Sequence, residues 1–142
     1  MKNKKTSTFK NIILLLILIL ILSSCATKGS KNTEKDLDNL DQVLEILREN
    51  GADINIKERE KIQPHLNYSK NFITVNEETV QVYECTDSNT AQKELKNIAN
   101  SAINWNSTPN YFQKDKIFII YIGKTDSLIN LLKLVAGEPQ YN

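Results

Sequence analysis

The spacing of apolar residues predicts an α+β fold: a single compact domain with helices packed on a mainly antiparallel sheet. Three observations carry that expectation. Apolar residues recur at helical spacing at both ends of the domain, as Leu37, Leu40, Leu44 and Leu47 in one segment and Leu128, Leu131, Leu132 and Val135 in another. Two strand-like runs, Phe72 to Val75 and Thr79 to Cys85, are separated only by Asn76-Glu77-Glu78, the pattern of a hairpin. Ile117 to Ile122 is apolar at every position, which predicts a central strand covered on both faces.

In chain order, the first helix is expected from Glu34 to Asn50, capped by Thr33 and ended by Asn50-Gly51, with Asp36, Asp41, Glu45 and Arg48 off the leucine stripe. Asp53 to Ile56 alternates polar and apolar as a short strand. Lys57 to Lys70 is charged, carries Pro64 and has no clean period, so it reads mostly as loop, with room for one helical turn at its start. After the hairpin, Asp87 or Ser88 caps a helix reaching Ser101 that turns Ala91, Leu95, Ile98 and Ala99 inward. Short strands follow at Ile103 to Asn106 and Asn110 to Gln113, and Pro109 should interrupt or edge the first pairing because it donates no ladder hydrogen bond. Lys114-Asp115-Lys116 turns the chain into the central strand. The last helix spans Asp126 to Ala136, with Gly137 at its C-terminal cap and Pro139 just beyond.

The first 25 residues carry an address rather than a fold. Lys2, Lys4, Lys5 and Lys10 precede an unbroken apolar run from Ile12 to Leu22, which is followed by Ser23, Ser24 and Cys25. A membrane-crossing helix needs about 20 apolar residues, so this shorter run has the length of a secretory signal core. Leu22-Ser23-Ser24-Cys25 resembles the lipobox of bacterial lipoproteins. The resemblance implies that Cys25 receives a diacylglyceryl group and becomes the first residue of the mature chain, at the outer face of the cytoplasmic membrane. The expected organisation is a signal peptide over residues 1–24, the lipidated cysteine and a polar tether over 25–33, and the globular domain over 34–142.

Charge narrows the partners. Four of the 18 basic residues and none of the 17 acidic ones lie in residues 1–24, so the exported part carries a net charge of −3. It has no basic stripe for phosphates, so no nucleic-acid partner is expected. Membrane affinity falls to the acyl group. With Cys25 consumed, Cys85 is the one remaining thiol and no internal disulfide can form.

Chemistry is sparse along the domain. Ile120-Tyr121-Ile122-Gly123-Lys124-Thr125-Asp126 suggests a phosphate loop, but that motif needs a second glycine five residues before Gly123, where Phe118 stands. A tight strand-to-helix turn, with Gly123 relieving backbone constraint and Thr125 or Asp126 capping the helix, is the expected reading. His65 is the only histidine and lacks companion ligands for a metal site, so neither metal nor cofactor is expected. Cys85 reads as a small hydrophobe at a strand end; its sharper alternative is a thiol nucleophile working with His65, in a small hydrolase or thiol enzyme. Aromatics concentrate between Trp105 and Phe112, making Trp105, Asn110, Tyr111 and Phe112 a candidate ligand surface, with core packing as the competing reading.

Over roughly the last 100 residues the chain is similar to a set of small bacterial lipoproteins of unassigned function. The likeness rests on Leu47-Arg48 with Gly51-Ala52, Val80 to Glu84, Trp105 with Thr108-Pro109, Ile117 to Gly123, and Gly137 to Tyr141. In those proteins the Thr-Pro is commonly followed by His and an aromatic pair. Asn110 stands at that position here, so no role of that histidine carries over. The sequence therefore leads to a non-catalytic binding or accessory module at the cell surface, with a membrane protein, another surface protein or a small ligand as its partner.

Overall fold

The computed structural model describes residues 36–101 and 108–141. Eight elements follow one another: α1 (Leu40–Glu49), β1 (Ile54–Glu58), β2 (Tyr68–Val75), β3 (Glu78–Cys85), α2 (Ser88–Ser101), β4 (Asn110–Lys114), β5 (Ile117–Tyr121) and α3 (Asp126–Ala136). The strands form one five-stranded sheet in the order β1-β2-β3-β5-β4, and every neighbouring pair is antiparallel. The described residues thus make an α+β domain with a wholly antiparallel sheet.

Strand alternation sorts the side chains into two cores. Ile73 and Val75 of β2, Val80 and Val82 of β3, Phe112 of β4, and Ile117, Ile119 and Tyr121 of β5 face α1 and α3. Tyr83, Cys85, Tyr111, Phe118 and Ile120 face α2, which covers them with Ala91 and Leu95. β5 lies between β3 and β4 and is buried at all five positions, as its unbroken apolar run predicts. The run ends one residue early: Ile122 is 43% exposed, because the chain has already left the sheet.

The β2–β3 hairpin is tight. Asn76 and Glu77 both take positive φ, 48° and 72°, as a two-residue turn of the primed kind requires. β2 begins at Tyr68, four residues before the apolar run that announces it. Its first inward positions are Ser69 and Asn71, buried at 2% and 1% exposure, so the apolar alternation is missing there. The Asn71 amide donates to Ser69 Oγ and Val82 O, both at 3.2 Å, and accepts from the Glu60 N–H at 3.0 Å. Those bonds satisfy the buried polar groups and tie down the loop after β1. That loop carries the backbone bridge between Gln63 and Tyr68, and its one tight turn, with the Leu66 and Asn67 N–H groups donating to Gln63 O at 2.9 Å, lies near its end rather than at its start.

The first helix starts at Leu40, not Glu34. The expected cap Thr33 and residues 34 and 35 lie outside the described residues; residues 36–39 are not helical. Asn39 is the cap, extended at φ −155°, and its side chain accepts from the Gln42 N–H at 3.1 Å. Leu37 shares the leucine period for a different reason. It is a buried docking residue on the β4–β5 turn, its N–H donating to Asp115 Oδ2 at 2.8 Å and its carbonyl accepting from the Lys116 N–H at 3.2 Å. Glu84 also accepts from the Leu40 N–H at 3.0 Å, placing a carboxylate under the positive end of α1. Asp87 caps α2 through the Thr90 N–H at 2.8 Å, and Gly137 closes α3 at φ 80°. The strand expected at Ile103 to Asn106 falls mostly on residues 102–107, outside the described residues, while Pro109 is buried just before the edge strand β4.

Candidate functional site

The Gly-Lys-Thr segment is a structural joint. Tyr121, the last residue of β5, folds its ring across Gly123, where an added Cβ would sit 2.1 Å from the tyrosine hydroxyl and 2.3 Å from Cζ. Gly123 is therefore required by close approach and not by a left-handed backbone, which is the correction to the expected reason. The Tyr121 hydroxyl donates to the Glu78 carboxylate and accepts from the Thr125 N–H at 3.4 Å. Asn110 Nδ2 donates to Gly123 O at 2.9 Å. Thr125 occupies the N-cap of α3, yet its side chain makes no cap bond. One of the amides that would have to wrap a phosphate is thus engaged, and Lys124 stands exposed in the turn.

Cys85 is buried and His65 is exposed. The thiol is 2% exposed in the core beneath α2, and burial pushes its pKa from 9.0 up to about 12, with Glu94, Asp87 and Glu84 adding to the rise. A thiolate is the nucleophilic form, and this environment suppresses it. His65 lies in the exposed turn before β2, and no hydrogen bond joins it to Cys85. Among the described residues no cluster of His, Cys, Asp and Glu can hold a metal ion.

The expected aromatic surface dissolves into the two cores. Tyr111 is 4% exposed and faces α2, while Phe112 is fully buried and faces α1 and α3. Adjacent strand residues point to opposite sides of a sheet, so the two cannot share a ligand. Asn110 is half-buried and committed to Gly123, and Trp105 lies outside the described residues.

An uncovered surface is found elsewhere, on β2. Helix α2 packs on β3, β4 and β5, and among the described residues the β1–β2 half of that face has no comparable cover. Tyr68, Lys70, Phe72 and Thr74 alternate along β2 on this side, all half-buried, beside Gln81 and Tyr83 of β3. Their order comes from a ladder of aromatic contacts. Tyr83 stacks on Phe118 with ring centroids 4.2 Å apart and planes 12° from parallel, and meets Tyr68 edge-on at 5.8 Å. The Lys70 ammonium lies 4.7 Å from the Phe72 ring centre and 5.7 Å from that of Tyr83. The Tyr83 hydroxyl donates to Gln81 Oε1 at 3.0 Å, and burial raises its pKa to about 12, with Tyr68 and Glu60 adding to the rise. The arrangement is a flat platform of ring edges, an ammonium and an amide on a rigid hairpin. It holds no nucleophile–base pair.

This platform is hidden in the sequence because Tyr68 and Lys70 close the charged stretch Lys57 to Lys70, which has no clean period. The Tyr-x-Lys-x-Phe-x-Thr alternation from Tyr68 to Thr74 was the available signal. Comparison with protein-family models, curated proteins and solved structures finds no match for the chain.

Proposed function

We propose that the protein is an exported lipoprotein, anchored by a diacylglyceryl group on Cys25 to the outer face of the cytoplasmic membrane, whose domain is a non-catalytic binding module for a membrane or cell-surface protein. The address rests on the basic start, the apolar core and Leu22-Ser23-Ser24-Cys25. Two acyl chains hold a chain at a bilayer where one is marginal.

The binding reading is carried by the half-open sheet face. Tyr68, Lys70, Phe72 and Gln81 project from the β2–β3 hairpin onto a surface with no helix over it among the described residues, whereas Cys85 is a buried, protonated thiol. A flat mixed surface of aromatic rings and long polar side chains suits a protein face more than a small molecule, which is usually held in a concavity.

The test is site-specific crosslinking in cells from a photoreactive residue at position 72, with a second probe at position 134, an exposed leucine on α3, as reference. A discrete adduct from position 72, absent from position 134 and lost on Lys70→Glu with an unchanged melt, is the expected outcome. Equal labelling from both positions would contradict a dedicated face.

A further inference from the structure

We propose a second site on the opposite flank of α2: a pocket that binds a phosphate group. It rests on none of the platform residues above. Asn89, Gln92, Lys93 and Lys96 fall at i, i+3, i+4 and i+7, so one stripe of α2 presents all four side chains. Opposite them the C-terminal segment meets β4 at one isolated bridge, where the Gln140 N–H donates to Tyr111 O. This anchor sets the next residue, Tyr141, as the far wall of a depression of about 370 Å³.

The lining is one-sided in charge. Among the described residues it contains two ammonium groups, two carboxamides and a phenol, and no side-chain carboxylate. Neither lysine forms an ion pair with a described residue, and the Asn89 and Gln92 amides make no side-chain hydrogen bond there. The first turn of α2 carries no acid, and the carboxylate of Asp87 before it is occupied by the Thr90 N–H and the Thr86 and Thr90 hydroxyls. Lys93 and Lys96 lie on the flank of α2 away from Glu94, which faces the Cys85 side.

This local reversal of sign stands against the rest of the domain. Seven of the 18 basic residues and one of the 17 acidic ones precede Asp36, so residues 36–142 carry a net charge of −5. An indiscriminate attraction for anions is absent, and the pocket supplies a specific one. Two point-charge lysines with freely turning amides suit a tetrahedral phosphate, whereas a planar carboxylate is best met by the fork of an arginine, and none lines the pocket. The depression is open and all five lining residues are exposed, so a phosphate can sit between the lysines with its organic substituent directed to solvent. A soluble phosphate ester and the phosphodiester headgroup of an anionic lipid share this chemistry.

The full chain in neutral detergent is titrated with glycerol 3-phosphate at constant ionic strength, and separately with short-chain phosphatidylglycerol or phosphatidylcholine dispersed in the same detergent, because the acyl anchor would carry the chain onto vesicles of either lipid. Saturable binding of the ester, or of phosphatidylglycerol and not phosphatidylcholine, is expected. Either should weaken about tenfold or more in Lys93→Gln/Lys96→Gln and persist in Lys124→Gln, since charged hydrogen bonds contribute that much each. The ester arm succeeding identifies a soluble ligand, and the lipid arm alone identifies a headgroup. Failure of both arms, or an equal loss in Lys124→Gln, overturns the site. Unchanged melting of both variants shows that the fold is not the cause.

Discussion

At the scale of the single residue, Gly123 carries the clearest constraint. Its Cβ position is already taken by the Tyr121 ring, and that ring is itself held by Glu78 and Thr125. Gly123→Ala should therefore destabilise the domain by about 1–3 kcal/mol, the cost of forcing extra volume into a packed site, as read from thermal melts. Lys124→Ala, one residue on, should leave the melt unchanged, and the parent should show no saturable ATP binding. Nucleotide binding lost in that variant would revive the phosphate-loop reading. Cys85 and Tyr83 set the alkaline limit. Both bind their protons more tightly in the folded chain, so their stabilisation is complete below the unfolded values of 9.0 and 10.0 and is lost as pH rises toward about 12. The melting temperature should fall as pH climbs above about 9, and Cys85→Ala should flatten the first part of that fall. A steep loss in Cys85→Ala between pH 9 and 10 would show that another group titrates there.

At the scale of the element, β5 and the β2–β3 turn make opposite predictions. Ile120→Asp places an unpaired carboxylate in the core beneath α2, at a cost of several kcal/mol against a total stability of about 5–15, so it should unfold the domain. Glu77 holds a left-handed conformation that a side chain resists, so Glu77→Gly should raise stability by up to about 1 kcal/mol in urea unfolding. Elements whose burial follows from apolar spacing alone were legible: the central run at Ile117, the bounds of α2 and α3, and the hairpin. Two were not, each for a physical reason. The start of β2 hides because Ser69 and Asn71 stand where apolar residues would, made tolerable by bonds to Val82 and Glu60 that no local pattern encodes. The start of α1 was misplaced because Leu37 keeps the helical period while serving a contact with Asp115, far along the chain.

At the scale of the whole molecule, the candidate site was the least legible part. Aromatic density pointed to Tyr111 and Phe112, which alternation sends into separate cores, while the exposed rings and ammonium belong to β2. Among the described residues the platform arises because α2 covers three strands of a five-stranded face, and that ratio is a property of topology. The same packing yields a prediction about where the chain can begin. Leu37 is buried and hydrogen-bonded to the β4–β5 turn, so a chain beginning at Glu34 retains every contact described and should melt cooperatively in solution. The account as a whole depends on Cys25, because a binding module without an anchor would have no fixed place at a membrane. The most direct measurement is the intact mass of the protein recovered from membranes, with incorporation of labelled fatty acid, for the parent and for Cys25→Ala. The parent should lack residues 1–24 and carry diacylglyceryl on Cys25, while Cys25→Ala should be exported, remain uncut or be clipped elsewhere, and take up no label. An unlipidated parent, or a Cys25→Ala chain that is cut after Ser24 and stays on the membrane, would contradict it.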